Sequence, residues 1–543
     1  MSILNADEQT MSIDLVVRGG MVADGTGGPL RRADVAISGD RIVAVGEVPP
    51  SSCQELSAEG AVVAPGFINV LSHAYDLLQQ DPRGLSDLYQ GVTTEVFGEG
   101  FSMGPVSGEM GEIIDAEPLP SGVRRNWPRL NDFLDHLATT GVGPNIASFV
   151  GAHNLRMIHA GADNRALTED ELTSACRILD DELSAGALGV ASALIYSPGS
   201  YASTAELTAY AKVLAQHDAL YISHIRNEAD RLLDAIDELI DIARVTSTRA
   251  EVYHLKASGR QNWPAMSKAI DKIEAARLSG LSVSADIYPY EAGGTLLSAC
   301  IPPQFHAGGR VALLTRLAEP GTRAAIKTSI THPGADWENL YLGSGGASGI
   351  LMLGGIEPDV GGRTLAEIST DRGDLDPIDT LLDLVTADPD LLATYFEMTE
   401  ENIHLALQSP WVSICSDSEA SPAEAPFNEA PTHPRAYGAF ARVLGPYVRA
   451  GVLPLEDAVR RMTSLPAENL RLHDRGQVRV GAFADLAVFE PEEVEDLATY
   501  RQPHRYATGM RHVLINGAIA FQDGLPTGRL AGRALRRGGS FEG

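Results

Sequence analysis

The chain has 543 residues, 44% of them hydrophobic, and its 72 acidic against 42 basic side chains give a net charge of −30. That charge repels phosphate backbones and anionic bilayers, which excludes nucleic acid and membrane surfaces as expected partners. The length calls for two or three domains, and four scattered cysteines without CxxC spacing exclude a disulfide framework and a thiolate zinc knot.

In chain order, the start from Met1 to Asp14 is polar and acidic and lacks an apolar core of signal-peptide length. No later run approaches the ~18 uninterrupted apolar residues of a membrane helix, so a cytoplasmic protein is expected. Between Ile13 and Val63 short alternating runs, such as Asp34 to Ser38 and Arg41 to Val45, are separated by glycine turns, the pattern of an antiparallel sheet. Similar runs return at Asp485 to Phe489 and His512 to Gly517. The two ends are expected to pair into one small β-sandwich domain, residues 1–63 with 471–543.

From residue 64 to 470 the pattern changes to strand then helix, repeated. Eight candidate strands are Val62 to Val70, Val92 to Phe97, Ile146 to Val150, Leu188 to Ser192, Leu220 to Ser223, Glu251 to Tyr253, Leu281 to Ala285 and Trp411 to Cys415. Helix starts read as capping boxes at Thr168 to Glu171 and Ser203 to Glu206. Leu172, Ala175, Cys176, Leu179 and Leu183 follow the first at helical spacing. The fold class is therefore α/β, a (β/α)₈ barrel. The long gap between the seventh and eighth strands holds a glycine-rich stretch, read as an insertion subdomain over residues 303–363.

Two runs carry the chemistry. Leu220 to Ser223 and Glu251 to Tyr253 each close on a histidine, His224 and His254, at the carboxyl end of a buried strand, where α/β barrels hold their sites. One strand–helix–strand unit separates them, so the two imidazoles come from neighbouring parallel strands and can meet on one metal ion. The eighth strand ends in Asp417, which reads either as a helix cap or as a carboxylate placed to move a proton in the same mouth. Lys256 follows His254 by two and so lies on its side of the chain.

At this level the sequence resembles the amidohydrolase superfamily, and within it the N-acyl-D-amino-acid deacylases. The resemblance runs from Asp14 to Arg536 and rests on Ala64-Pro65-Gly66-Phe67-Ile68, Gly91-Val92-Thr93-Thr94, Ser223-His224-Ile225-Arg226-Asn227-Glu228, Asp286-Ile287-Tyr288-Pro289-Tyr290, Ser416-Asp417 and His433-Pro434-Arg435. It implies a metal-bearing barrel that hydrolyses an amide with activated water. It also implies that His224 and His254 bind zinc, that Asp417 is the catalytic acid/base, and that Tyr288, Tyr290 and Arg435 hold a substrate carboxylate.

Three positions depart from the family. Its His-x-His after the first strand, preceded by aspartate, here reads Asn69-Val70-Leu71-Ser72-His73, and a leucine has no lone pair to offer a metal. His73 is accordingly read as a polar residue of the mouth rather than a metal ligand. The cysteine ligand after the second strand is replaced by Gly100, next to Glu99, whose carboxylate is a hard substitute for thiolate. Glu95 is the other carboxylate in range. Arg226 and Glu228 read equally as a helix-start ion pair, and His153 as packing or substrate contact.

The sequence thus predicts one Zn²⁺ per chain on Glu99, His224 and His254, with Asp417 as acid/base, acting on a small N-acylated amino acid. The alternatives are a cyclic amide or lactone hydrolase of the same superfamily and a non-catalytic binding descendant. Self-association into a homo-oligomer is left open.

Overall fold

The structure is a computed structural model that describes residues 13–50, 52–116, 123–334, 337–354, 359–429 and 431–538. Strands from both ends of the chain form one nine-stranded sheet. They are joined where Val62–Pro65 runs antiparallel to Leu486–Phe489. Leu15, Val17, Val35, Ile37 and Val63 pack with Leu486, Val488 and Leu514 on one face of it. The alternation read from the sequence is the reason, since residues i and i+2 of a strand share a face.

The middle of the chain builds two arcs of parallel strands. Phe67–Asn69, Val92–Phe97 and Asn145–Ser148 form the first, and Val150–Gly151, Gly189–Ala193, Leu220–His224, Arg249–Val252, Val283–Ile287 and Val412–Ile414 the second. Asn145–Ser148 and Val150–Gly151 are one strand broken at Phe149, so eight strands make the ring. Its last gap is bridged where Asp417 N donates to Leu71 O and His73 N to Ser418 O, both at 2.9 Å. Helices cover the outside, as parallel sheets require, and one continuous apolar core fills the space between.

The predicted strand from Val62 to Val70 is two strands in two different sheets. They divide at Gly66, where a Cβ would fall 2.2 Å from Thr93 Oγ1, so only glycine lets the chain pass that close to the second barrel strand. The helix Glu169–Ser184 carries the complete Thr168–Glu171 capping box. In Thr204–Gln216 only the Ser203 half forms, because the Glu206 carboxylate turns inward to the buried Arg156 at 2.8 Å.

The insertion is larger than 303–363. A three-stranded antiparallel sheet of Ala292–Leu296, Ile350–Met352 and Leu392–Phe396 sits on its own core running from Leu297 to Tyr395. The glycine-rich stretch is its middle, and the flanking strands hydrogen-bond to each other from positions about a hundred residues apart, which composition does not reveal. Among the described residues no helix is long and apolar enough to cross a membrane.

Candidate active site

A cavity of about 480 Å³ opens at the carboxyl ends of the barrel strands and is roofed by the inserted unit. His224 is the last residue of its strand, His254 lies two residues past Arg249–Val252, and Glu99 two past Val92–Phe97. His254 and Asp417 have φ of +33° and +49°, a region non-glycine residues avoid. Tertiary hydrogen bonds hold both turns: His254 N donates to Asp286 Oδ1 at 2.6 Å and Asp417 N to Leu71 O at 2.9 Å. Strain of this kind, ~1–3 kcal/mol per residue, persists where surrounding structure fixes it.

Glu99 is the centre of the site. Its Oε1 lies 3.0 Å from His224 Nδ1 and 3.3 Å from His254 Nε2, and its Oε2 lies 3.2 Å from His73 Nε2, which in turn is 3.0 Å from Asp417 Oδ1. Two trios of donors result, Glu99–His224–His254 and His73–Glu99–Asp417, each with its ligand atoms within 4.8 Å of one another. Two imidazoles and one carboxylate, largely buried beside a cavity, suit a catalytic zinc with a fourth position for solvent or substrate. The electrostatics agree. Burial works to raise the Glu99 carboxyl, but the three imidazoles hold it well below the usual range. Burial likewise works against a charge on His73, yet Asp417 and Glu99 keep its imidazole up at about 9. Within the first trio, burial works against a charge on His254 too, but Glu228 and Glu99 keep it up at about 10, whereas burial lowers His224.

His73 therefore does more than line the mouth: it contacts both Glu99 and Asp417. Glu95, the other carboxylate read from the sequence, points elsewhere. With Asp87 it flanks Asn69, whose Nδ2 donates to Asp87 Oδ2 at 3.0 Å, Glu95 Oε2 at 3.1 Å and Ser416 Oγ at 2.7 Å. An aspartate at 69 would bring a third carboxylate to this group, which accounts for the amide there. Gly100 has φ +64°, and a Cβ on it would sit 2.9 Å from Ala193 Cβ and 3.0 Å from His153 Cε1. A cysteine does not fit beside His153, which is buried, donates from Nε2 to Ala193 O at 3.0 Å and is pushed by burial down to about 4.

Glu228 is no partner of Arg226, which pairs with Glu238 at 2.9 Å. Glu228 is buried behind the two imidazoles: Oε1 is 3.1 Å from His254 Nδ1 and Oε2 is 3.3 Å from His224 Nε2. The first contact is a hydrogen bond; the second has ion-pair distance with poor alignment, since His224 Nε2 has no hydrogen-bond partner. Oε2 also takes Lys256 Nζ at 2.6 Å. A carboxylate behind an imidazole fixes its tautomer and leaves the forward nitrogen free to bind metal. Its trace in the sequence is the spacing of four from His224, which equally suits a helix start.

Lys256, Tyr288 and Arg435 line the cavity together. Lys256 Nζ and Arg435 Cζ lie 5.8 and 4.6 Å from the centre of the Tyr288 ring. The Arg435 fork is divided, with Nη1 2.7 Å from Asp417 Oδ2 and Nη2 donating to Gly294 O at 3.2 Å. Tyr290 is a correction: it is buried outside the cavity, and its hydroxyl donates to Asp496 Oδ2 at 3.3 Å. Tyr288 and Tyr290 are separated by the rigid Pro289, and the chain turns between them. His433, whose role the motif His433-Pro434-Arg435 does not reveal, accepts from Arg435 N at Nδ1 and donates from Nε2 to Ala292 O, each at 3.0 Å, tying the arginine to the inserted sheet.

Residues 425–521 match the model of an amidohydrolase family. The chain is 35% identical to N-acyl-D-glutamate deacylase of Alcaligenes xylosoxydans xylosoxydans, covering 98% of both proteins. A solved D-aminoacylase described as holding a binuclear metal centre superposes with a TM-score of 0.80 at 32% identity, covering 97% of this chain and all of that one. N-acyl-D-glutamate deacylase of Bordetella bronchiseptica, solved with zinc and a phosphonate mimic of the tetrahedral intermediate, gives the same TM-score and identity over 96% of this chain and 99% of its own. Full-length identity and a shared barrel lead to one conclusion: this chain belongs to the D-aminoacylase family, the N-acyl-D-amino-acid deacylases among the metal-dependent amidohydrolases.

Proposed function

We propose that this enzyme hydrolyses the linear amide of a small N-acyl-D-amino acid. The observation that carries this reading is the meeting of Glu99, His224, His254 and Asp417, from four separate strands, at one cavity that also holds Lys256 and Arg435. A zinc ion held by Glu99, His224 and His254 would polarise the scissile carbonyl and acidify the attacking water.

The chain's own residues supply the rest. Asp417 presents Oδ1 toward His73 and Oδ2 toward Arg435. Burial works to raise its carboxyl, but the Arg435 charge and the His73 contact hold it below the usual range, so it stands ionised and ready to accept a proton from water. It then returns that proton to the departing amine nitrogen, the ordinary two-step use of one carboxylate. Lys256, Tyr288 and Arg435 anchor the substrate's α-carboxylate, which suits a guanidinium and an ammonium on either side of a phenol. Closure by the inserted unit keeps bulk water from these charges.

One tightly held zinc is proposed for the Glu99–His224–His254 trio. The His73–Glu99–Asp417 trio is a weaker second place, because Asp417 already faces the Arg435 charge and a metal there would occupy the proton acceptor. The test measures zinc in protein purified without chelator, alongside hydrolysis of N-acetyl-D-amino acids, their L-enantiomers and hydantoins. The expected result is about one equivalent and turnover of the linear D-substrates; activity confined to hydantoins, or full activity without metal, would sink the reading.

A further inference from the structure

The amino-acid side chain of the substrate must lie in the part of the cavity left over once the α-carboxylate and the amide are placed. Lys256 and Arg435 are the only lysine or arginine lining the cavity among the described residues. Both flank the single Tyr288 ring, and each already faces a carboxylate, Glu228 or Asp417, at 2.6 and 2.7 Å. They form one anchoring point, and one carboxylate satisfies it.

Among the described residues no further lysine or arginine is available to a second carboxylate, and the charged His73 imidazole is already held between Glu99 and Asp417. The histidines of the cavity outside the two trios are His306, His433 and His153, the last packed on Gly100, and each is bonded from Nε2 to a backbone carbonyl. Burial, acting first in all three, lowers them, so they are neutral imidazoles at pH 7. The inserted unit instead offers Leu296, Ile301, Leu340, Leu353 and Leu392 to the cavity. Ile301 and Leu340 are buried, but Leu296 and Leu392 are 37% and 47% exposed. Apolar side chains left open on a cavity wall mark a place for an apolar occupant. The acids Glu338 and Glu397 also line this side.

We propose that the enzyme selects N-acyl-D-amino acids with an apolar side chain, seated against Leu296, Leu353 and Leu392 of the inserted unit, and rejects those with an acidic one. This rests on the deacylase reading above and distinguishes the chain from its N-acyl-D-glutamate relative. An ionised side-chain carboxylate would lose its water against this wall and find only neutral hydroxyls such as Thr295 and Ser298, not a lysine or arginine, in exchange.

The experiment compares kcat/KM for N-acetyl-D-methionine and N-acetyl-D-glutamate, whose side chains are of similar length, on the zinc-loaded enzyme. The methionine substrate is expected to be favoured by about 10²-fold or more. A preference under tenfold, or one for glutamate, overturns the inference while leaving the deacylase reading intact. Hydrolysis of neither D-substrate would overturn both. Leu296→Arg and Leu392→Arg locate the seat. At least one should raise the glutamate-to-methionine ratio about tenfold, and because a ratio is read, partial loss of folded protein cancels. An unmoved ratio in both variants would overturn the placement against the inserted unit.

Discussion

Glu99, Glu228 and Asp417 at the barrel mouth and Asp87 and Glu95 near the first strand are all buried carboxylates, yet their surroundings give them opposite states. At the mouth each acid has imidazole, ammonium or guanidinium neighbours that outweigh burial and hold it ionised. Around Asn69 the partners are an amide, hydroxyls and another acid, and burial pushes both Asp87 and Glu95 up. Burial alone favours the neutral acid, and only nearby positive charge reverses it. The surroundings of Glu99, Glu228 and Asp417 thus favour the charged carboxylate, and those of Asp87 and Glu95 favour the neutral one.

That contrast breaks most severely with His254→Ala. Removing one of two imidazoles from the Glu99 trio should lose the tightly held zinc and bring turnover to background, measured by metal analysis with an N-acetyl-D-amino acid assay. Retained zinc and activity would move the metal elsewhere. Next is Asp417→Asn, which should keep fold and zinc while lowering kcat by ~10²-fold or more, a usual contribution of acid–base catalysis. Near-normal kcat there would remove Asp417 from the proton transfers.

A smaller effect sharpens the comparison at Glu228. Glu228→Gln keeps the shape but removes the charge behind both imidazoles, and zinc affinity should weaken by ~10–100-fold. Competition with a chelator reads this, and the visible spectrum of the cobalt-substituted protein should shift as well. An unchanged affinity would reduce Glu228 to a partner of Lys256.

The smallest effect belongs to the deeper cluster. Because the folded pKa of Glu95 is raised by burial, the native state binds more protons than the unfolded one above the usual glutamate range. Its contribution to stability is present at low pH and lost as pH rises through the raised pKa. Glu95→Gln should therefore flatten the fall in Tm as pH rises above the usual glutamate range, with zinc content and kcat within about twofold of wild type. Parallel Tm curves would show that Asp87 carries the titration instead.

Much of this molecule is local and so could be read directly. Strand periodicity places His224 and Asp417 at carboxyl ends because backbone direction follows from a few consecutive residues, and parallel barrels bring those ends together. The replacement of His-x-His at Leu71 was equally visible. The four-residue interval from His224 to Glu228 was visible too, but not its meaning. Whether a carboxylate four residues on caps a helix or braces two imidazoles depends on Lys256 and His254, which arrive on the next strand.

The sequence by itself determined the alternation of strands and helices, the terminal sheet segments, the residue types at the strand ends and the acidic surface. Tertiary structure alone decided that His73 faces Glu99 and Asp417, that Tyr290 turns away from the cavity toward Asp496, that Glu95 joins Asp87 around Asn69, and that the inserted unit reaches from Ala292 to Phe396. The reason is the range of the interactions. Periodicity and turn chemistry act over a few residues, whereas ionisation state, side-chain direction and the apolar roof depend on charges and surfaces brought together from positions tens to hundreds of residues apart.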